Sequence, residues 1–315
     1  MIHATIKSKI GEDISILFRP DNHPWHYLCE CGMASDLTVK EIQNLNAIFI
    51  SHLHIDHFIN FDNILRLQLG IGRKVVVCGP KGIASQIQSK IKAYTWNLIE
   101  SNSVTYEIRE IISEKEVHIF DLFPPNWDLI PRGIQNASSL FSNEAFEVQY
   151  TLLDHGTPSI AYLFKEFDKV NIDLSGSPFE GGKWVRNLKS AFEDKANIPI
   201  DVNGEVHPSI KLFHLLKTIK GFRMGVIMDH ATSLENHAKI STLFQNADQV
   251  FIESYYKNSD AEFAKLNHHS YAQKSGEIMA KLNVKQAIPV HFSRRYETTE
   301  ITQLLNEFNK ALGFR

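Results

Sequence analysis

Ala47-Ile48-Phe49-Ile50-Ser51-His52-Leu53-His54-Ile55-Asp56-His57 decides how the rest of the chain is read. The apolar run Ala47 to Ile50 has the length and composition of a short buried strand, and Ser51 ends it. In extended backbone, residues two apart point to the same side, so His52 and His54 can face one point. A turn into helix after His54 would carry Asp56 and His57 toward a second point close by. Imidazole suits zinc, iron or nickel, and carboxylate suits harder divalent ions, so the set can serve two adjacent metals. The bland alternative is a histidine-rich surface turn. Three imidazoles spaced this tightly behind a core strand favour metal instead.

With 315 residues, 43% of them hydrophobic, the chain can bury a large core in one domain or in two fused halves. Lys plus Arg total 33 against 36 Asp plus Glu, net −3, which advertises no nucleic-acid surface. A local basic stripe or an exposed metal pair could still supply the charge. Met1-Ile2-His3-Ala4-Thr5-Ile6-Lys7 contains no apolar stretch of signal-peptide length, and no segment approaches the roughly 18 apolar residues of a membrane span. No membrane partner is expected. Cys29, Cys31 and Cys78 cannot form a disulfide framework, and Cys29 and Cys31 lack a matching second pair for a zinc knuckle. Small buried thiols in a reducing, cytoplasmic protein are the expectation.

Strand-like and helix-like segments alternate along most of the length. Ile14 to Phe18, Trp25 to Cys29, Ala47 to Ile50 and Lys74 to Cys78 read as strands. His57 to Leu69 reads as a helix ended by Gly70 and Gly72, and Pro80 to Ile99 as a second. Strands follow around Val104 to Ile108 and Val117 to Phe120. The Pro/Asn/Ser-rich stretch Pro124 to Asn143 reads as a long loop. A second half starts at Phe146, with strands near Ile160 to Phe164, Met224 to Met228, Val250 to Glu253 and Ala287 to Val290. Ile301, Leu304, Leu305, Phe308 and Leu312 mark one face of a terminal helix. The expectation is one domain over 1–315, made of two βα-rich halves (about 1–145 and 146–315) with sheets packed face to face under outer helices. Between Glu166 and Gly221 the pattern weakens, so 166–221 reads as an insertion or arm.

The early cluster needs partners from elsewhere in the fold. His155 follows the strand-like Tyr150 to Asp154, Asp229 ends Gly225 to Met228, and His291 ends Ala287 to Val290. Each sits where a strand leaves its sheet, the rim at which open α/β layers place their sites. Singly, each would be an ordinary hydrogen-bonding residue. Together with the first cluster they make a ligand set.

Ser51-His52-Leu53-His54-Ile55-Asp56-His57, with His155, Asp229 and His291, resembles the metallo-β-lactamase superfamily. Phe251-Ile252-Glu253-Ser254-Tyr255, His269-Ser270-Tyr271 and His291-Phe292-Ser293-Arg294-Arg295-Tyr296 are similar to motifs of its ribonuclease Z branch. The resemblance runs from Tyr27-Leu28-Cys29-Glu30-Cys31-Gly32 to Tyr296. It implies a four-layer αββα metallo-β-lactamase-like sandwich, an α/β fold with an inserted arm. It implies that His52, His54 and His155 hold one divalent metal, that Asp56, His57 and His291 hold another, and that Asp229 bridges. Zinc is the first expectation, and the same ligands accept manganese or iron.

Physical chemistry supports that division. Two divalent ions about 3.5–4 Å apart need a shared anionic ligand, and a zinc-bound water with a pKa near 7 supplies hydroxide at neutral pH. Asp56 would bind metal and orient the nucleophile. The leaving alkoxide needs a proton. The resemblance assigns that work to Glu253 and His269, since a carboxylate on one ring nitrogen raises the imidazole pKa and leaves the other as general acid. His268 is a rival, but His269 places Ser270 where the family has Ser.

Several motifs depart from the family. Its Phe-Leu-Gly-Thr-Gly opening is absent from Ala4-Thr5-Ile6-Lys7-Ser8-Lys9-Ile10-Gly11. Gly-Asp-Thr becomes Met228-Asp229-His230, while Tyr255 and Tyr271 replace small residues. His230 and the tyrosines therefore bear on substrate more than on metal. Phe179-Glu180-Gly181-Gly182-Lys183-Trp184 resembles the Gly-Pro element of the arm, with Gly182 in place of Pro.

Two functions follow. One is a ribonuclease Z-like endonuclease that removes the 3′ trailer of precursor tRNA as a cytoplasmic homodimer, with Arg294-Arg295 suited to phosphate. The alternative is a hydrolase of the same fold acting on a small phosphodiester, cyclic nucleotide, lactone or thioester, favoured by net −3 and the altered motifs. A redox di-iron protein is disfavoured because His54 stands where such proteins use Glu. A non-catalytic binding protein would be expected to have lost ligands.

Overall fold

The computed structural model describes residues 1–136 and 139–313. The described chain divides into two compact units, one of residues 1–165 with 222–315 and one of 166–221.

In the first unit an eight-stranded sheet runs in sequence order: β1 (Ile2–Ile6), β2 (Ile16–Pro20), β3 (His26–Cys29), β4 (Leu45–Phe49), β5 (Lys74–Pro80), β6 (Thr105–Ser113), β7 (Glu116–Leu122) and β8 (Ile130–Asn136). β3 to β6 are parallel to one another, and the outer strands are antiparallel hairpins. A second sheet begins with β9 (Phe141–Ser142), β10 (Phe146–Asp154) and β11 (Pro158–Glu166). The chain then forms the short strands β12 (Lys169–Ile172), β13 (Pro199–Val202), β14 (Glu205–Pro208) and β15 (Leu216–Ile219) of the small unit. It returns to the second sheet as β16 (Arg223–Ile227), β17 (Gln249–Glu253) and β18 (Gln286–Val290). The order there is β18-β17-β16-β11-β10-β9, with β16, β17 and β18 parallel.

Helices α1 (Val39–Gln43), α2 (Ile55–Phe58), α3 (Phe61–Gln68) and α4 (Ile83–Lys92) belong to the first half, and α5 (Trp184–Glu193) and α6 (Ser209–Leu212) to the small unit. α7 (Leu234–Phe244), α8 (Ala261–Leu266), α9 (Ala272–Lys281) and α10 (Thr298–Leu312) belong to the second half.

Three apolar interfaces make the four layers. Alternation along β5 shows why: Val76 and Cys78 face the second sheet, while Val75 and Val77 face the helices. A parallel strand covered on both sides reads as a continuous apolar run. Between the sheets, Phe18 and Phe49 meet Tyr162 and Phe164, with the Phe18 and Phe164 rings 4.4 Å apart. α3 and α4 bury Ile64, Leu65, Ile87 and Ile91 on the outer face of the first sheet. α7, α9 and α10 bury Ile240, Phe244, Met279, Leu304 and Phe308 on the outer face of the second. The fold is an α/β sandwich of two mixed sheets flanked by helices, as the motifs implied.

Three expected elements differ. The single helix over His57 to Leu69 is broken into α2 and α3, because the Asn60 N–H bonds the Cys31 carbonyl at 3.0 Å and the Cys31 N–H bonds the His57 carbonyl at 2.9 Å. Pro80 ends β5 rather than opening a helix; α4 starts after Gly82, whose φ of +95° suits glycine, and stops at Lys92. The Pro124 to Asn143 stretch holds β8 and β9, with Pro131 tolerated on an edge strand. Residues 137 and 138 of that stretch, like 314 and 315, lie outside the described residues.

The small unit pairs β12 with β15 and β13 with β14, and buries Trp184, Leu188, Ile200, Val202 and Leu212 in a core of its own. Among the described residues, no helix is long and apolar enough to cross a membrane.

α9 and α10 pack so closely that a Cβ on Gly276 would lie 2.6 Å from the Phe308 carbonyl oxygen and 3.2 Å from the Leu312 nitrogen. Backbone atoms cannot yield as a side-chain tip can. Gly276→Ala is therefore expected to destabilise the protein by about 1–3 kcal/mol in urea unfolding while zinc content stays at the wild-type level. An unchanged midpoint would mean the helices separate freely.

Candidate metal centre and active site

The predicted metal ligands and Glu253 lie at or beyond the carboxyl ends of strands, Asp56 and His57 in the short helix α2 that follows, whereas His269 comes from the connection between α8 and α9. His52, His54, Asp56 and His57 follow β4; His155 follows β10; Asp229 follows β16; Glu253 ends β17; His291 follows β18. The first group leaves one sheet and the others leave the second, so the donors meet across the face-to-face pair.

Three overlapping sets of donor atoms result, each set within 4.8 Å of one another: His52, His54, His155 and Asp229; Asp56, His57 and His291; and Asp229, Glu253, His269 and His291. Asp229, only 2% exposed, stands between the first two. Its Oδ2 lies 3.6 Å from His52 Nε2 and 3.5 Å from His155 Nε2, while its Oδ1 lies 3.5 Å from His57 Nε2 and 2.8 Å from His291 Nδ1. One carboxylate thus faces one set with each oxygen. Asp56 Oδ2 is 3.8 Å from His57 Nε2 and 3.5 Å from His291 Nε2.

The rings are held from behind. His57 Nδ1 donates to Glu30 Oε2 at 2.9 Å, and His155 Nδ1 donates to the His268 carbonyl at 2.7 Å. His52 Nδ1 is 3.0 Å from Ser51 Oγ, which in turn donates to Glu30 Oε2 at 3.1 Å. His57 and His155 are thereby left with the Nε2 lone pair free to face the centre, the tautomer a metal ligand needs, while His52 Nε2 lies 2.9 Å from His54 Nδ1. Glu30 also accepts the Ser51 N–H at 3.0 Å, so this fully buried carboxylate supports one ring of each set. Its role was not read from the sequence. The signal was there: a glutamate between two core cysteines at the end of an apolar strand must have buried donors to satisfy it.

The donors fit divalent cations. His57 Nε2, Asp229 Oδ1 and His291 Nδ1 are buried and make no well-aligned hydrogen bond among the described residues, the last two lying 2.8 Å apart as an ion pair. Burial pushes His52 down to about 2, a neutral imidazole. His57 behaves oppositely: burial opposes its charge, but the Asp229 and Glu30 carboxylates outweigh it and raise it to about 10. A buried carboxylate demands nearby positive charge, and a divalent ion between these groups supplies it. The clustered groups are consistent with a two-ion centre.

Beside that centre Glu253, fully buried, pairs with His269 Nδ1 through Oε1, and its Oε2 accepts the Ser270 N–H at 3.0 Å and the His230 N–H at 3.2 Å. Burial works against charge on both partners; each nonetheless favours the other's charge, so Glu253 falls to about 2 and His269 rises. It is the His269 ring that meets Glu253, whereas His268 contributes its carbonyl to His155. Tyr255 stacks on His269, with centroids 4.0 Å apart and planes 8° from parallel. His230 turns inward, its Nδ1 donating to the Met228 carbonyl at 2.8 Å. Tyr271 is the N-cap of α9 and bridges to Tyr256.

The two arginines expected to meet phosphate are engaged elsewhere. Arg294 pairs with Asp13, and Arg295 lies over the rings of Tyr256 and Phe263 at 5.1 and 4.9 Å. Large apolar side chains are exposed on neighbouring segments: Ile55, between two donors in sequence, is 73% exposed, Ile10, which shares a hollow with His291, 61%, and Met33 53%. A Cβ on Gly32, next to Met33, would lie 2.5 Å from the Asp56 carbonyl.

No family model matches the chain. A ribonuclease Z of Deinococcus radiodurans is 25% identical over 288 residues, covering 88% of this chain and 85% of that protein. Among solved structures, human tRNase Z, short form, superposes with a TM-score of 0.59 at 16% identity over 94% of both chains. The metallo-beta-lactamase fold protein YhfI of Bacillus subtilis gives 0.58 at 11% identity over 98% of this chain and 92% of that one. The chain has the metallo-β-lactamase fold and is related to the ribonuclease Z branch, and its clustered donors are of the kind a metal-dependent hydrolase uses.

Glu30→Ala removes the group behind both His52 and His57. Zinc affinity, measured by competition with a chromophoric chelator, is expected to fall roughly 10–100-fold. Wild-type affinity in a folded variant would show that the rings orient themselves.

Proposed function

We propose that this protein is a two-metal phosphodiesterase acting on a small phosphodiester, the class that includes cyclic nucleotides. The observation that carries the reading is the Glu253–His269 pair beside the two donor sets, in a surround of Ile10, Met33 and Ile55 with Arg294 and Arg295 already engaged. A long polyanion gains affinity from many unpaired cations around a site; a small diester needs one electrostatic focus and a shaped wall.

In this reading His52, His54 and His155 would hold one ion and Asp56, His57 and His291 the other, with Asp229 available to both. Two such ions, when bound, would supply Lewis-acid activation of water and neutralise charge at phosphorus. The side chains do the rest. Asp56 orients the attacking water. Glu253 holds His269 by Nδ1, so the remaining ring nitrogen, Nε2, delivers a proton to the leaving alkoxide. Tyr255 keeps that ring in plane, and the main-chain N–H groups of His230 and Ser270 hold the Glu253 carboxylate in position.

A second reading is favoured by the sequence relatives: removal of the 3′ trailer of precursor tRNA by a cytoplasmic homodimer, with 166–221 as its RNA-gripping arm. The separately cored unit at 166–221 is compatible with that role.

Zinc-loaded protein offered bis(4-nitrophenyl) phosphate, a 3′-extended precursor tRNA and a simple lactone separates the readings. Diester cleavage without RNA cleavage is expected; RNA cleavage installs the second reading, and lactone hydrolysis alone removes both. His269→Ala is expected to lower kcat on the diester by about 10²–10⁴-fold with zinc content unchanged, and His268→Ala to leave it within a few-fold. The opposite pattern would move the acid to His268.

A further inference from the structure

The turn between β1 and β2 and the segment carrying His291 enclose a pocket of about 210 Å³, walled by Ile6, Ile10, Ile14, Pro289, Val290 and Phe292, with His291 lining it as well. His291 is also one of the clustered donors, so the pocket lies next to the proposed reacting centre. Its volume is below the roughly 300 Å³ of a drug-sized site, enough for a single ring or a short alkyl chain.

The walls are fastened in place. Glu12 accepts the N–H of Lys9 at 2.9 Å and of Ser35 at 3.1 Å, folding the turn onto the segment after β3. Asp13 accepts the Met33 N–H at 3.2 Å and pairs with Arg294, three residues beyond His291. Arg294 therefore joins the N-terminal turn to the His291 segment. The charged groups lining the pocket are likewise occupied: Lys9 Nζ lies 3.5 Å from Asp36, and Glu12 is bound to main chain. An apolar hollow whose polar neighbours are satisfied, and whose walls are already ordered, gains from filling without a cost in loop ordering.

We propose that this pocket seats an apolar substituent of the substrate, an aryl or short alkyl group carried on the phosphorus centre. The assignment rests on the phosphodiesterase reading for the identity of the reacting group, but the pocket can be tested without turnover. Ile10 is the residue to change, because it is 61% exposed and lies in no helix or strand. Binding of phenylphosphonate and methylphosphonate to zinc-loaded protein is measured by calorimetry. Hydrolysis of 4-nitrophenyl phenyl phosphate and 4-nitrophenyl methyl phosphate is followed in parallel.

The wild type is expected to bind the phenyl compound on the order of tenfold tighter than the methyl one. Ile10→Asn, polar but uncharged, should reduce that preference to about twofold or less while methylphosphonate binding changes by less than about twofold, and Ile10→Leu should restore it. Equal binding of the two phosphonates by the wild type, or equal weakening of both in Ile10→Asn, overturns the pocket. If neither diester is hydrolysed yet the phenyl preference is present and lost in Ile10→Asn, the pocket stands and the phosphodiesterase reading falls.

Discussion

A carboxylate at the bottom of a protein must be answered by positive charge, and Asp229 is answered from two directions. Its oxygens look toward different groups of imidazoles, Oδ2 to His52 and His155 and Oδ1 to His57 and His291. Such a group is tolerable only if cations or protons sit on both sides of it. The surrounding hydrogen bonds serve that arrangement. Glu30 governs one ring of each group, while the Glu253 carboxylate pairs with His269, whose Nδ1 also lies 3.7 Å from Asp229 Oδ2.

The sandwich makes the convergence possible. Side-by-side parallel strands deliver their carboxyl ends to one rim, and β16, β17 and β18 send out Asp229, Glu253 and His291 in succession. The early histidines reach the same place from the opposing sheet. There the Tyr162 hydroxyl donates to the Ile50 carbonyl at 2.7 Å, and the Ile160 N–H to the Ser51 carbonyl at 2.9 Å. These bonds cross from one sheet to the other directly before His52, so the position of that ring is set by the second sheet as well as by its own strand.

Much of this was legible beforehand because its causes are local. The run Ala47 to Ile50, the alternating histidines and the single donors at later strand ends are short-range patterns, and the layered α/β class followed from their repetition. What escaped were features decided by tertiary partners. The break at Ile59 and Asn60 depends on Cys31, which is distant in sequence. β8 and β9 form in a Pro/Asn/Ser-rich stretch because neighbouring strands offer them hydrogen bonds. Arg294 and Arg295 looked like phosphate ligands from composition alone; Asp13 and the rings of Tyr256 and Phe263 claim them in three dimensions. Tyr255 was visible as an unusual aromatic, but its face-to-face contact with His269 was not.

Because the donors emerge from both sheets, seating ions among them is a thermodynamic tether across the central interface. Ions that bind the assembled donors and not the opened chain draw the equilibrium toward the closed sandwich. Beyond saturation, each tenfold increase in free ion then adds about 1.4 kcal/mol per site to the work of separating the layers. Resistance to heat in this molecule is therefore a property of the solution as much as of the polypeptide.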